Sequence, residues 1–197
     1  MLKKSAVPIL GLLTIQPMSG YDMKQAIEIS LGHFWSESFG QIYPQLRALS
    51  REGLICEIPP NEPESDRPRR VYEITSTGRA ALRDWLEREP TEQVMRNELL
   101  LKIFFATECD PAAIRDHCEG ARARALKEIA ELEKVEKMLD TMPYAPRKVA
   151  YWRITARFGL HNYRAILAWS EETMQALDSP PIPHEGADNE TAVSGNV

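Results

Sequence analysis

Ser38-Phe39-Gly40-Gln41-Ile42-Tyr43-Pro44-Gln45-Leu46-Arg47-Ala48-Leu49-Ser50-Arg51-Glu52-Gly53 is the stretch on which the reading of this chain turns. Phe39, Ile42, Tyr43, Leu46 and Leu49 recur at helical spacing, so a helix gathers them into one apolar stripe. The other side then carries Gly40, Gln41, Pro44, Arg47, Ala48 and Arg51, which are small, polar or cationic. A helix starting near Gly40 keeps Pro44 among the first four residues, whose N–H groups have no helical partner anyway. Gly53 supplies the C-terminal stop.

Upstream, a helix is expected over about Ser5–Ile15, with Ser5 as N-cap and Pro8 in the first turn. Gln16-Pro17-Met18-Ser19-Gly20 punctuates. A second helix follows over about Tyr21–Ser30, with Met23, Ala26 and Ile27 facing inward. Downstream, Leu54–Ile58 reads as a strand ended by Pro59-Pro60, and Arg70–Ile74 as a second strand after a polar loop. Thr75 or Thr77 caps a fourth helix to about Glu89, which Pro90 stops. Three helices, a β-hairpin and a helix make a winged helix-turn-helix. Two strands are too few to stand alone, so the hairpin must lean on the helices.

After Pro90 the pattern becomes purely helical, and the whole chain is expected to be mainly α. Helices are expected over Gln93–Thr107, from Pro111 (after Asp110 as N-cap) to about Asp140, and over about Arg147–Leu177. In the middle one, positions 114, 118, 121, 125, 128, 132, 135 and 139 hold Ile, Cys, Ala, Ala, Glu, Leu, Val and Leu. Such a seam is coiled-coil-like. Together with the aromatic last helix it exposes more apolar surface than a monomer leaves open, so a homodimer is expected. The expected domains are 1–90, a DNA-binding winged helix, 91–178, a helical dimerisation domain, and 179–197, a disordered acidic tail.

The tail from Asp178 onward holds Asp178, Glu185, Asp188 and Glu190 and no Lys or Arg, which accounts for four charges of the net −5. The rest is close to neutral, so bulk charge does not announce nucleic acid, and DNA binding must rest on local patches. The most apolar run, Ala6–Ile15, is half the roughly 20 residues a membrane helix needs. Its flanks carry no cleavage-site pattern. Cys56, Cys109 and Cys118 form no CxxC, and thiols in a reducing cytoplasm are expected.

Several blocks occur in a fixed order: Ile9-Leu10-Gly11-Leu12-Leu13, Ser19-Gly20-Tyr21-Asp22, Ser38 to Leu49, Glu52-Gly53-Leu54-Ile55, and Arg70-Val71-Tyr72-Glu73-Ile74-Thr75-Ser76-Thr77-Gly78-Arg79. This series, over residues 5–90, resembles the PadR family of transcriptional regulators. Tyr151-Trp152, Arg157-Phe158-Gly159-Leu160 and Ala168-Trp169 resemble the helical C-terminal domain of its longer members. The resemblance implies a dimeric repressor that binds operator DNA. The C-terminal helices would clasp the partner, and release would follow a small aromatic acid, drug or other stress ligand.

On physical grounds the third helix is the element to enter a major groove. Gly40 and Pro44 allow close approach, Gln41 can bond adenine or a phosphate, and Arg47 a guanine or the backbone. Ser38 can cap the helix or meet a phosphate. Tyr43 lies at the edge of the stripe, where core and contact roles both remain open. Arg67, Arg69 and Arg70 cluster on the wing, where a minor groove attracts arginine. Glu62, Glu64 and Asp66 compete for them, at about 0–1 kcal/mol per exposed pair. Lys3, Lys4 and Lys24 add candidate phosphate contacts, and Tyr21 of the matching block completes the set.

No cofactor, metal or catalytic role is expected. His117 and Cys118 are adjacent and point about 100° apart on a helix, a poor geometry for one metal. GxSxG, P-loop and HExxH patterns are absent. The competing reading is a winged-helix protein-interaction module that never touches DNA.

Overall fold

The computed structural model describes residues 2–35, 37–58, 70–92 and 96–178. Arg67, Arg69, the acids of the same loop and the tail residues 179–197 lie outside these residues, as does the side chain of Phe39. The chain divides into two compact units at Val94–Met95.

In the first unit a 3-10 turn, Lys4–Ala6, leads into α1, Val7–Leu13. Ser5 therefore lies inside the turn rather than at a helix cap, and α1 starts without a side-chain cap. Pro8 stands in the first turn of α1, as expected. Next come β1, Met18–Ser19, and α2, Gly20–Ser30. Ser19 and Asp22 close a capping box at the start of α2, with Ser19 N–H donating to Asp22 Oδ2 at 3.1 Å. α3 spans Phe39–Arg51 and ends at Gly53, whose φ is +67°. β2, Ile55–Ile58, and β3, Val71–Ile74, follow, and then α4, Ser76–Leu86.

The expected two-stranded hairpin is a three-stranded antiparallel sheet in the order β1-β3-β2. Met18 pairs with Tyr72 on one side of β3, and Ile55 pairs with Ile74 on the other. A two-residue strand has too little alternation to announce itself, so only its tertiary partner defines it. The core draws on every element: Ile9, Leu10, Met23, Ile27, Ile42, Leu46, Leu49 and Ile55 are at most 2% exposed. The resulting architecture is a winged helix.

Thr75 ties α4 to the end of α3. Its N–H donates to Leu54 O, its Oγ1 donates to Gly53 O at 2.7 Å, and Oγ1 also accepts from Gly78 N–H. Gly78 packs so tightly that a Cβ there would lie 2.1 Å from Leu54 O. α4 stops at Leu86, four residues before Pro90, so the proline does not end it.

The second unit is helical. α5 spans only Glu98–Phe104, shorter than expected, because Asn97 caps it by accepting from Leu100 N–H. A 3-10 turn at Ala106–Glu108 follows. α6, Pro111–Leu139, is capped by Asp110, and α7 spans Pro146–Asp178. At 1.5 Å per residue α6 is about 44 Å long. Its seam, Ile114, Cys118, Ala121, Ala125, Leu132 and Leu139, is buried. α6 packs along α7 of the same chain, and Leu132 clusters with Ala156 and Leu160 of α7. The seam expected to meet a second chain is thus filled from within. What stays exposed instead is Leu100, Leu101, Phe104 and Phe105 around α5, with Tyr151, Ile154 and Phe158 on α7.

Candidate nucleic-acid interface

α3 presents Gly40, Gln41, Pro44, Arg47 and Arg51 to solvent, opposite the buried Ile42, Leu46 and Leu49. Because α3 begins at Phe39, Pro44 sits inside the helix and not among its first four residues. It has no N–H to return to the Gly40 carbonyl, so the helix lacks that one i→i−4 hydrogen bond. Ser38 is the N-cap residue, and its N–H donates to Gln41 Oε1 at 2.8 Å. Gln41 therefore spends one end of its amide on its own helix, a duty additional to the base contact expected of it.

Tyr43 is 45% exposed, and its ring lies over Gly20 at the start of α2. A Cβ on Gly20 would come within 2.9 Å of Tyr43 Cε1. The residue expected at the edge of the stripe thus stands beside the core, held by backbone contact. Tyr21 is similarly exposed, and its hydroxyl accepts from Gln25 at 3.2 Å. Lys3 and Lys4 are exposed at the 3-10 turn, which packs against α3. Lys24 differs: its side chain is mostly covered and its ammonium pairs with Glu28.

Between α3 and the sheet runs an open groove of about 480 Å³. Pro44, Arg47, Ser50 and Arg51 line one wall, and Glu57, Arg70 and Tyr72 the other. Three guanidinium groups thus flank one channel. Their planar forks suit phosphate oxygens, which they can meet bidentately. Arg70 Nη1 is 3.8 Å from Glu57 Oε2, a loose contact between two exposed side chains. Sequence reasoning left Ser50, Arg51 and Glu57 out of the site. Arg51 had a signal, one helical turn beyond Arg47. Ser50 and Glu57 enter through the pairing of α3 with β2, which no local pattern shows. Among the described residues no group of His, Cys, Asp and Glu could hold a metal ion, and no helix is long and apolar enough to cross a membrane.

Residues 9–84 match the Transcriptional regulator PadR-like family, and residues 95–178 match the Virulence activator alpha C-term family. The negative transcriptional regulator PadR of Bacillus subtilis (strain 168) is 26% identical over 175 residues, spanning 86% of this chain and 95% of that one. Among solved structures, Bacillus subtilis PadR in complex with operator DNA superposes with a TM-score of 0.75 at 25% identity, covering 89% of this chain and 100% of that one. The same regulator with p-coumaric acid gives 0.68 at 24%, covering 91% and 100%. The PadR-like transcriptional regulator BC1756 of Bacillus cereus gives 0.73 at 28%, covering 89% and 98%.

Proposed function

The chain belongs to the PadR family of transcriptional regulators, and from that premise we propose that it is a dimeric, sequence-specific DNA-binding repressor relieved by a small aromatic effector. The observation that carries the DNA reading is the groove of Arg47, Arg51 and Arg70 beside the open face of α3. That face offers Gln41 and Arg47 on a helix of the width of a major groove, and the arginines offer neutralising charge to the adjoining backbone. Lys3, Lys4, Tyr21, Ser38, Tyr43 and Pro44 are the further residues assigned to DNA contact in this reading. Lys24 belongs to it only if DNA displaces Glu28. The relative solved with operator DNA supports the assignment.

Dimerisation is supported by the apolar residues that the second unit leaves uncovered, Leu101, Phe104 and Phe105 above all. The negative regulation named for the Bacillus subtilis relative supports repression. The effector class is taken from that relative's p-coumaric acid complex, and a cytoplasmic location follows from the role. A gel shift with the duplex upstream of the chain's own gene tests the reading. A retarded band that resists scrambled competitor is expected. No band at low salt would leave the protein-interaction module as the better account.

A further inference from the structure

We propose that Glu57 acts as an internal counter-anion for Arg70, competing with DNA phosphate and so lowering the chain's affinity for any duplex. The inference rests on the DNA reading above and assigns a residue within the same groove.

Three observations carry it. The first is placement. Ile55 and Glu57 are two apart on β2 and share one face of the sheet, and Ile55 is 2% exposed in the core. Opposite Glu57 in register is Tyr72, also buried. Alternation therefore calls for an apolar residue at 57, and the chain puts a carboxylate there. The second is charge. Among the described residues, Glu57 is the one acid lining a groove that holds Arg47, Arg51 and Arg70. For a phosphate entering that groove it removes one of three favourable charges. The third is geometry. The contact to Arg70 is 3.8 Å long, and both side chains are substantially exposed. An exposed pair of that length is weak enough for phosphate to replace it, yet close enough to tax every encounter.

Glu57 thereby works as a repulsive element, the kind that limits binding to unwanted partners. It touches DNA only through its effect on Arg70, so it is a positioning residue and not a reader of bases.

The test is a double-mutant cycle on the full-length chain: wild type, Glu57→Gln, Arg70→Ala and the double variant. Each is titrated by fluorescence anisotropy against the upstream duplex and a scrambled duplex at one fixed salt concentration. Melting curves establish that each variant is folded. Glu57→Gln should bind both duplexes about two- to fivefold more tightly, the range open to an exposed ion pair. The gain should vanish when Arg70 is already Ala. Unchanged or weaker binding by Glu57→Gln would overturn the proposal. So would a loss confined to the upstream duplex, which would make Glu57 a base contact, or a gain that survives in the Arg70→Ala background. Failure of the wild type to bind either duplex would instead remove the DNA reading, and this proposal with it.

Discussion

Arg122 of α6 donates its Nε–H to Glu171 of α7 at 3.1 Å, and the pair belongs to a ladder that fixes the hairpin's register. Arg115 pairs with Asp178, Glu136 with Arg157 at 3.5 Å, and Asp140 with Arg153 at 2.7 Å. Each advance along α6 is matched by an equal retreat along α7. Only Glu133 with Arg164 is offset, by one helical turn that the arginine's length spans. The bond to Glu171 and the charge of Glu119 hold the Arg122 guanidinium above its ordinary pKa. Reversing one rung, Arg122→Glu, should lower the melting temperature of the chain. The swap Arg122→Glu with Glu171→Arg should restore most of the loss, read by circular dichroism in low and high salt.

Gly78→Ala should be far more damaging than any rung of that ladder. Its Cβ meets a backbone oxygen, which no rotamer change relieves. A loss of about 3 kcal/mol or more is expected from the overpacking, with the transition of the first unit shifted in thermal or urea melts.

Gln41 should separate folding from binding. Gln41→Ala removes the acceptor for Ser38 N–H and should cost about 0.5–2 kcal/mol of stability. Gln41→Glu keeps an acceptor in that place, so its melting temperature should stay near wild type. The new negative charge should nevertheless weaken DNA binding. Equal affinity for the two proteins in a salt titration would place the start of α3 away from DNA.

Phe104→Glu should leave the chain folded and break the proposed dimer. Phe104 is 79% exposed, so its replacement removes little core. Light scattering should move from about twice the chain mass of 22.4 kDa to a single chain. DNA binding should weaken in parallel, because two linked winged helices gain from effective concentration.

The three thiols should react at different rates. Cys109 is exposed, whereas Cys118 is fully buried on the α6 seam. Burial pushes the Cys118 thiol above its ordinary pKa, against an opposing pull from Arg115. Cys56 is raised as well, by burial and by its bond to Glu73. A raised pKa keeps the neutral thiol at pH 7, and the thiolate is the reactive form. A disulfide reagent at neutral pH should therefore label Cys109 first and reach Cys118 only after unfolding.

The helices of the first unit were readable because their apolar residues recur at helical spacing and their ends carry Ser19, Ser38, Gly53 and Thr75. β1 was not, since two residues acquire strand character only by meeting β3. The partner of the α6 seam was not legible for a related reason. Ile114 to Leu139 announce that something apolar packs against α6, but spacing does not say which helix supplies it. Charges opposite one another, Arg115 with Asp178 or Arg122 with Glu171, held that information over separations too long to notice. Glu37 carried no signal at all. It is buried just before Ser38, one oxygen accepting from Trp35 Nε1 at 3.0 Å and the other without a partner among the described residues.

The pairing of Met18 with Tyr72 sets an order on synthesis. On the ribosome, α1, α2 and α3 emerge before β3 exists, so the sheet cannot close until Ile74 has left the exit tunnel. Closing so long a loop costs entropy before any contact repays it, which makes the first unit slow to commit. The α6–α7 hairpin grows outward from its elbow through contacts nearer in sequence, and each new turn rests on the one before. A nascent chain halted short of β3 therefore exposes the apolar side of three helices to any chaperone present, whereas one halted partway through α7 already holds a usable half of its ladder.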